Sequence, residues 1–148
     1  MRVPPLAATV VTAVLMWVAA RALPALRMEF AGQIVLGLLL AGIGLVISIA
    51  GVITFRRART TTNPLRPEAA SALVTGGIYA RTRNPMYLGF ACGLAGWAVL
   101  LAHPVAFLGV PAFIAWMNSR QIPDEERALR AAFGSRFSDY CGRVRRWL

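Results

Sequence analysis

The sequence predicts an all-α integral membrane protein with about four transmembrane helices, followed by amphipathic helices at the cytoplasmic face. Two observations predict this fold class. Hydrophobic residues make up 57% of the 148 residues and charged residues only 15%, an imbalance that a water-soluble domain of this size could not bury. The apolar residues also form long stretches almost free of charge, with arginines between and after them. We therefore expect a single membrane domain, residues 1–148.

Four apolar stretches are candidates for the transmembrane helices. They are residues 4–23, 30–55, 85–102 and 104–119. At about 1.5 Å per residue the shortest reaches about 24 Å and the longest about 39 Å, compared with a hydrocarbon thickness of about 30 Å. The fourth is therefore a marginal span. The first could instead be a secretory signal, because Arg2 precedes it and Ala20 and Ala22 resemble a cleavage site, but a retained span is favoured.

The placement of arginines predicts the orientation. All sixteen basic residues are arginine, and most lie in two polar segments, 56–84 and 120–148, whereas Arg21 and Arg27 lie in the loop after the first span. By the positive-inside rule, both termini and both polar segments face the cytoplasm. Membrane lipids with anionic headgroups are the expected partners. Nucleic acid is not expected, because no basic motif interleaved with aromatic residues is present.

Neither a metal site nor thiol chemistry is expected. Cys92 lies in the third predicted span and Cys141 in the C-terminal segment, and neither has a neighbouring histidine or second cysteine. The single histidine, His103, precedes Pro104 between the last two spans, where we predict a turn on the side away from most arginines. A mechanism that needs a histidine base is therefore disfavoured.

The third predicted span begins at a polar junction, where Arg83 precedes Asn84 and Pro85. Asparagine is a favoured N-cap and proline a favoured first helical residue, so this pair predicts a helix beginning at Pro85. Such a helix directs free backbone N–H groups and the positive end of its dipole towards the interface beside Arg83. This arrangement suits a carboxylate or a phosphate.

Neighbouring residues each have an ordinary structural explanation. Gly76 and Gly77 are more typical of a plain turn than of close approach to a ligand. Tyr79 and Tyr87 are consistent with interfacial aromatic residues.

Small residues spaced four apart predict close packing of two spans. Gly89 and Gly93 form a GxxxG motif in the third span, and Gly37 and Ala41 have the same spacing in the second. We expect helix contact rather than cofactor contact at these positions.

The acidic pair Glu125 and Glu126 is the sharpest anomaly in the C-terminal segment. Acids are favoured in the first turn of a helix, and Glu126 could simply pair with Arg130 four residues later. On a helical projection, however, Leu129 and Phe133 lie about 40° and 80° from Glu125, with Glu126 at about 100°. Carboxylates beside a buried face are costly unless they are paired or used, so a functional role is favoured.

The chain after this pair predicts a final short helix. Gly134 is expected to end the acidic helix and Ser135 to cap the next one. Phe137 and Tyr140 then share an apolar face with Val144, as expected for a helix that lies on the inner leaflet.

Taken together, these segments resemble the bacterial branch of the isoprenylcysteine carboxyl methyltransferase family, which is related to the phospholipid methyltransferases. The resemblance covers about residues 55–148. The matching motifs are Asn63-Pro64, residues 73–79 (LVTGGIY), residues 83–87 (RNPMY), Glu125-Glu126, Phe133-Gly134, Tyr140 and Val144.

The resemblance implies a membrane enzyme that binds S-adenosyl-L-methionine in a cytoplasm-facing pocket and methylates a lipophilic small molecule or lipid-modified substrate. The cofactor-binding residues it implies are Thr75, Gly77, Tyr79, Arg83, Asn84, Pro85, Tyr87, Glu125 and Glu126. Arg120 is the nearest match to a family arginine that orients the acceptor, and Tyr87 could accept a proton from an amine acceptor. Eukaryotic members usually carry histidine where this chain has Asn84, which hydrogen-bonds but does not become a cation.

Three functions remain open at this point. Methyl transfer to a carboxylate is favoured, because such an acceptor needs no general base. An NADPH-dependent reductase of the sterol-reductase type is the alternative enzyme, since those enzymes resemble this family in their C-terminal membrane region. A small non-enzymatic membrane protein is the third possibility.

Overall fold

The computed structural model describes residues 3–58 and 72–148, and within these ranges it is mostly helical and has no strands. The predicted all-α class is therefore confirmed, while the Asn63-Pro64 motif lies outside the described residues. The longer helices are α1 (Pro5–Ala22), α2 (Gln33–Arg57), α3 (Pro85–Leu101), α4 (Gly109–Trp116), α5 (Ile122–Phe133) and α6 (Ser135–Arg143). Short 3-10 turns lie at Pro24–Leu26, Gly77–Ala80 and Pro104–Leu108, and a π-helical turn at Met117–Gln121.

Helices α1 and α2 have the length and composition of membrane spans. Their apolar windows have mean hydropathies of 1.6 and 2.6, yet only 11% and 17% of these windows is buried within the protein. Apolar side chains left outside the protein interior are expected when the surrounding solvent is lipid. Helix α3 is apolar but has 17 residues, and the fourth predicted span, 104–119, is divided among a 3-10 turn, α4 and the π-helical turn.

Close contact between α2 and α3 depends on glycine. A Cβ atom at Gly96 would lie 2.6 Å from the carbonyl oxygen of Gly37, and one at Gly89 would collide with the backbone of Gly44 and Ser48. The predicted packing through Gly37 and Gly89 is therefore confirmed. Since the two backbones approach this closely, α2 fixes the position of the N-terminal turn of α3.

The loops at the other end of the bundle are tied together by hydrogen bonds. The His103 imidazole Nε2 lies 2.9 Å from the carbonyl oxygen of Leu23, and Met28 N–H donates to the carbonyl of Ala102 at 2.7 Å. His103 lies in a turn, as predicted, and is buried. These bonds hold the α1–α2 loop against the α3–α4 turn.

Helices α4 and α5 join through the π-helical turn to form one continuous helical segment from residue 109 to 133. Pro123 follows the turn and has no N–H for the carbonyl of Ser119, four residues earlier. A widened turn accommodates the missing bond, and such turns are frequent at functional sites. It also directs Met117 and Gln121 into the protein, where both are buried.

The C-terminal helices partly follow the sequence prediction. Helix α5 ends at Gly134, which has a left-handed φ of +53°, as predicted. Ser135 does not cap α6, because the N-cap position is Gly134 and no side chain caps the helix. The prediction that Phe137 and Tyr140 lie on the membrane is also wrong, since both are buried within the protein. Periodicity identified an apolar face, but the bundle rather than lipid covers it.

Candidate functional site

The C-terminal residues cross over the start of α3. Arg83 N–H donates to the carbonyl of Arg145 at 3.0 Å. The carbonyl of Arg146 accepts hydrogen bonds from Asn84 Nδ2 at 2.8 Å and Thr82 Oγ1 at 3.3 Å. Asn84 therefore occupies the predicted N-cap position, but its side chain binds the C-terminal tail and makes no cap hydrogen bond.

Glu125 connects α5 to α3. Its Oε1 accepts a hydrogen bond from the Tyr87 hydroxyl at 2.5 Å and another from Gln121 Nε2 at 2.6 Å. Both donors are buried, and Gln121 reaches Glu125 because it ends the π-helical turn four residues earlier, one turn of α5 away. Two neutral donors thus hold one oxygen of a part-buried carboxylate.

Glu126 lies between two arginines from different segments. Its Oε1 is 3.2 Å from Arg83 Nη2, while Arg146 contacts both carboxylate oxygens, with Nη2 at 2.7 Å from Oε2 and Nε at 3.1 Å from Oε1. The partners are therefore Arg83 and Arg146 rather than Arg130. Arg83 is the more buried arginine, with 14% of its side chain exposed against 34% for Arg146.

Within the described part of the chain, one polar atom of this cluster has no partner. Arg83 Nε is buried and makes no hydrogen bond within the described residues. Leaving a charged donor buried and unsatisfied is costly, so Arg83 Nε marks a position where an external anion or acceptor would be stabilised.

Most of the predicted site residues lie close to this cluster. The structure brings Arg83, Asn84 and Tyr87 together with Glu125 and Glu126, as the contacts above describe, and Pro85 begins α3 between them. Tyr79 lies alongside: its carbonyl accepts a hydrogen bond from the Tyr140 hydroxyl at 2.7 Å, and its ring packs edge-on against Phe55 at 5.0 Å.

Three predicted residues lie at the edge of the cluster or outside it. Thr75 is exposed, and Gly77 adopts a left-handed φ of +60° beside Thr54. Arg120 is exposed on the π-helical turn and, among the described residues, forms no ion pair or hydrogen bond with the glutamates, whose arginine partners are Arg83 and Arg146.

Comparison with known proteins identifies the family. The family model described as phospholipid methyltransferase matches residues 32–136, which is most of the chain. The chain belongs to the phospholipid methyltransferase family. The matched region runs from α2 into α6, so it contains both Tyr87 and Glu126 and stops before Arg146.

Two plant relatives are named isoprenylcysteine O-methyltransferases. Protein-S-isoprenylcysteine O-methyltransferase B of Arabidopsis thaliana is 31% identical over 108 residues, which is 73% of this chain and 55% of the plant protein. A probable protein-S-isoprenylcysteine O-methyltransferase of Oryza sativa subsp. indica is 32% identical over 108 residues, covering 73% and 56%. The chain thus spans about half the length of these curated relatives. The predicted resemblance is confirmed.

A bacterial relative covers a shorter region. An uncharacterized protein of Haemophilus influenzae is 41% identical over 63 residues, which is 43% of this chain and 100% of that protein.

Two residues of the polar cluster, Gln121 and Arg146, were not predicted from the sequence. Gln121 lies four residues before Glu125, a spacing that could have indicated the contact. Arg146 carried no such signal, because Arg143 and Arg145 flank it and nothing in the sequence distinguishes the three. Only the path of the C-terminal tail selects Arg146.

Two tyrosines beside the cluster should make stability depend on pH. Burial raises the pKa of Tyr140 and, with nearby Tyr140 and Glu125, that of Tyr79. Unfolded tyrosine has a pKa of about 10, so above that pH the unfolded chain binds fewer protons than the folded one. The contribution of these two tyrosines to the free energy of unfolding is therefore expected to be constant below about pH 10 and to fall as the pH rises further.

Thermal unfolding of detergent-solubilised protein between pH 7 and 11 measures this dependence. Tyr140→Phe removes one titrating group and the hydrogen bond to Tyr79, so we expect a loss of about 0.5–1.5 kcal/mol at pH 7 and a shallower decline above pH 10. An alkaline decline as steep as that of the unsubstituted protein would contradict this assignment.

Proposed function

We propose that this chain transfers a methyl group from S-adenosyl-L-methionine to a lipophilic acceptor at the cytoplasmic face of a membrane. The observation that carries the proposal is the meeting of two polar segments distant in sequence. Tyr87 and Arg83 from the start of α3 reach Glu125 and Glu126 of α5 at 2.5 and 3.2 Å. Part-buried charges are costly in a membrane protein, and charges of this kind concentrate at functional sites.

The residues present fit the proposed cofactor. Its carboxylate requires donors. Among the described residues, Arg83 Nε is a buried donor without a partner, and it lies beside the N-terminus of α3, which has no side-chain cap there. Its ribose diol requires acceptors. Glu126 Oε2 accepts one hydrogen bond from Arg146 Nη2, and because a carboxylate oxygen accepts two, it can accept a second from the diol. Glu125, held by Tyr87 and Gln121, adds negative charge near the same place.

When bound, S-adenosyl-L-methionine supplies an electrophilic methyl group on a positively charged sulfur. The residues of the chain then have only to position two reactants and set the electrostatic environment, because in-line displacement needs no covalent enzyme intermediate. A carboxylate acceptor reacts without losing a proton, which is why O-methylation is favoured. For an amine acceptor, the proton would go to a glutamate, because the Tyr87 hydroxyl is protonated and donates to Glu125.

The names of the relatives support O-methylation. The plant proteins are called isoprenylcysteine O-methyltransferases, so a lipid-modified carboxylate is the proposed acceptor class, and these names favour a methyltransferase over the reductase alternative. Arg120 remains the proposed acceptor-orienting residue from the family resemblance. We assign the chain to a bacterial inner membrane from its resemblance to the bacterial branch of the family, and both termini to the cytoplasm from the arginine distribution.

Calorimetry on the full chain in detergent tests the cofactor assignment. We expect saturable binding of S-adenosylhomocysteine, the product form of the donor, and no binding of NADPH. Asp124→Asn is a suitable control, because Asp124 pairs with Arg127 at an exposed position of the same helix and should leave the dissociation constant unchanged. Binding of NADPH without binding of S-adenosylhomocysteine would establish the reductase alternative instead.

A further inference from the structure

A long apolar groove separates α1 from α4 on the outer surface of the bundle. Its volume is about 670 Å³, within the roughly 300–1,000 Å³ that is typical of ligand sites. The buried side chains of Met16 and Phe113 form its floor, and exposed Val11, Leu15 and Leu108 belong to its walls.

The groove offers a ligand almost no hydrogen bonding. Thr12 carries the hydroxyl group among the described lining residues, and this hydroxyl already donates to the carbonyl of Ala8 at 2.8 Å. An occupant that meets only apolar walls must itself be apolar, because polar groups would be desolvated there without partners. A hydrocarbon chain satisfies this condition.

The direction of the two helices shows which end of the groove carries charge. His103, just before α4, meets Leu23 at the end of α1, and a Cβ atom at Gly109 would collide with Met16 in the middle of α1. The helices are therefore antiparallel. Val3 and Trp116 line the groove at its other end, which is the end nearer the arginine-rich segments.

Arg120 extends the groove at that end. It follows Trp116 by four residues across the π-helical turn, and four residues come within about 40° of a full turn in either helix type, so Arg120 lies near the same face. It is exposed, and within the described part of the chain it has neither a carboxylate nor any other hydrogen-bonding partner. Arg83 and Arg146, by contrast, share Glu126. The apolar groove thus ends at an unneutralised guanidinium group.

We propose that this groove binds one acyl chain of an anionic phospholipid, with the lipid phosphate held by Arg120. The groove is separate from the Glu125 and Glu126 cluster, and lipid binding in it does not require methyl transfer. Arg120 is also the proposed acceptor-orienting residue, so a bound phospholipid and an acceptor would compete for it. Charge complementarity favours an anionic headgroup over a zwitterionic one, since each arginine near a membrane surface strengthens binding of anionic lipid by about fivefold. The floor residues Met16 and Phe113 belong to the same hydrophobic cluster as Tyr87, so a bound chain supports the packing behind the polar site.

Native mass spectrometry of the full chain, released from detergent after equilibration with phosphatidylglycerol or phosphatidylcholine, tests this proposal. We expect phosphatidylglycerol to be retained about fivefold more than phosphatidylcholine. Arg120→Gln should remove this preference, and the matched exposed substitution Arg130→Gln should keep it. Ala112→Trp, which fills the groove, should reduce retention of both lipids, whereas Ala115→Trp, exposed on the same helix but outside the groove, should not.

Several results would overturn the proposal. Equal retention of the two lipids by the unsubstituted protein would exclude a site selective for anionic headgroups. Unchanged retention in Ala112→Trp would exclude the groove, and an intact preference in Arg120→Gln would exclude the headgroup contact. If Ala112→Trp does not fold, Leu15→Trp fills the groove from the α1 side and is measured in its place.

Discussion

Glu126→Gln is expected to weaken S-adenosylhomocysteine binding by roughly 10- to 150-fold, equivalent to about 1.5–3 kcal/mol. The substitution keeps the shape of the side chain but removes its charge. Glu126 then no longer neutralises Arg83 and Arg146, which it contacts at 3.2 and 2.7 Å, and it becomes a weaker acceptor for a diol. Calorimetry with the purified variant measures the change.

The control for this experiment is chosen from the same helix. Arg127 is exposed and pairs with Asp124, so Arg127→Gln changes the charge without reaching the cluster. An unchanged dissociation constant in Glu126→Gln would remove Glu126 from the cofactor site, and an equal loss in both variants would indicate a non-specific effect of charge.

Gly89→Ala is expected to destabilise the protein by about 3 kcal/mol or more, because overpacking a tight contact costs about 1–3 kcal/mol and here the neighbours are backbone atoms. The new Cβ atom would lie 2.9 Å from Ser48 N and closer still to the carbonyl of Gly44. Neither group can rotate away, so α2 and α3 must separate. Thermal unfolding in detergent and the yield of monodisperse protein measure the effect.

Gly93→Ala is a matched control within the same GxxxG motif. A Cβ atom at Gly93 meets nothing within 4 Å, and alanine favours the helix over glycine by about 0.5–1 kcal/mol. We therefore expect Gly93→Ala to be neutral or slightly stabilising. Similar losses in both variants would contradict the proposed geometry of the α2–α3 contact.

The sequence predicted the local parts of this fold well. Proline and asparagine located the start of α3 at Pro85, glycine located the end of α5 at Gly134, and small-residue spacing located the α2–α3 contact. Each of these signals depends on the conformational preferences of residues close in sequence. The helical projection also placed Glu125 and Glu126 beside an apolar face; in the structure Leu129 and Phe133 of that face are half-buried, as are both glutamates.

The remaining features depend on tertiary contacts that no local pattern encodes. The apolar face of α6 was recognisable, but periodicity does not say whether lipid or protein covers it, and Phe137 and Tyr140 pack inside the protein. The π-helical turn has only Pro123 as a local indication. Arg146 enters the cluster because the C-terminal tail is held by Thr82 and Asn84, which are more than sixty residues away in sequence.

Transfer of label from methyl-labelled S-adenosyl-L-methionine tests the central claim most directly. Membranes containing the unsubstituted chain or Glu126→Gln are incubated with the labelled donor, and the lipid extract is then treated with mild base. We predict label in the lipid extract of the unsubstituted chain, far less with Glu126→Gln, and release by base as expected for a methyl ester. Equal labelling of lipid in both membranes would contradict the claim that this polar cluster holds the methyl donor.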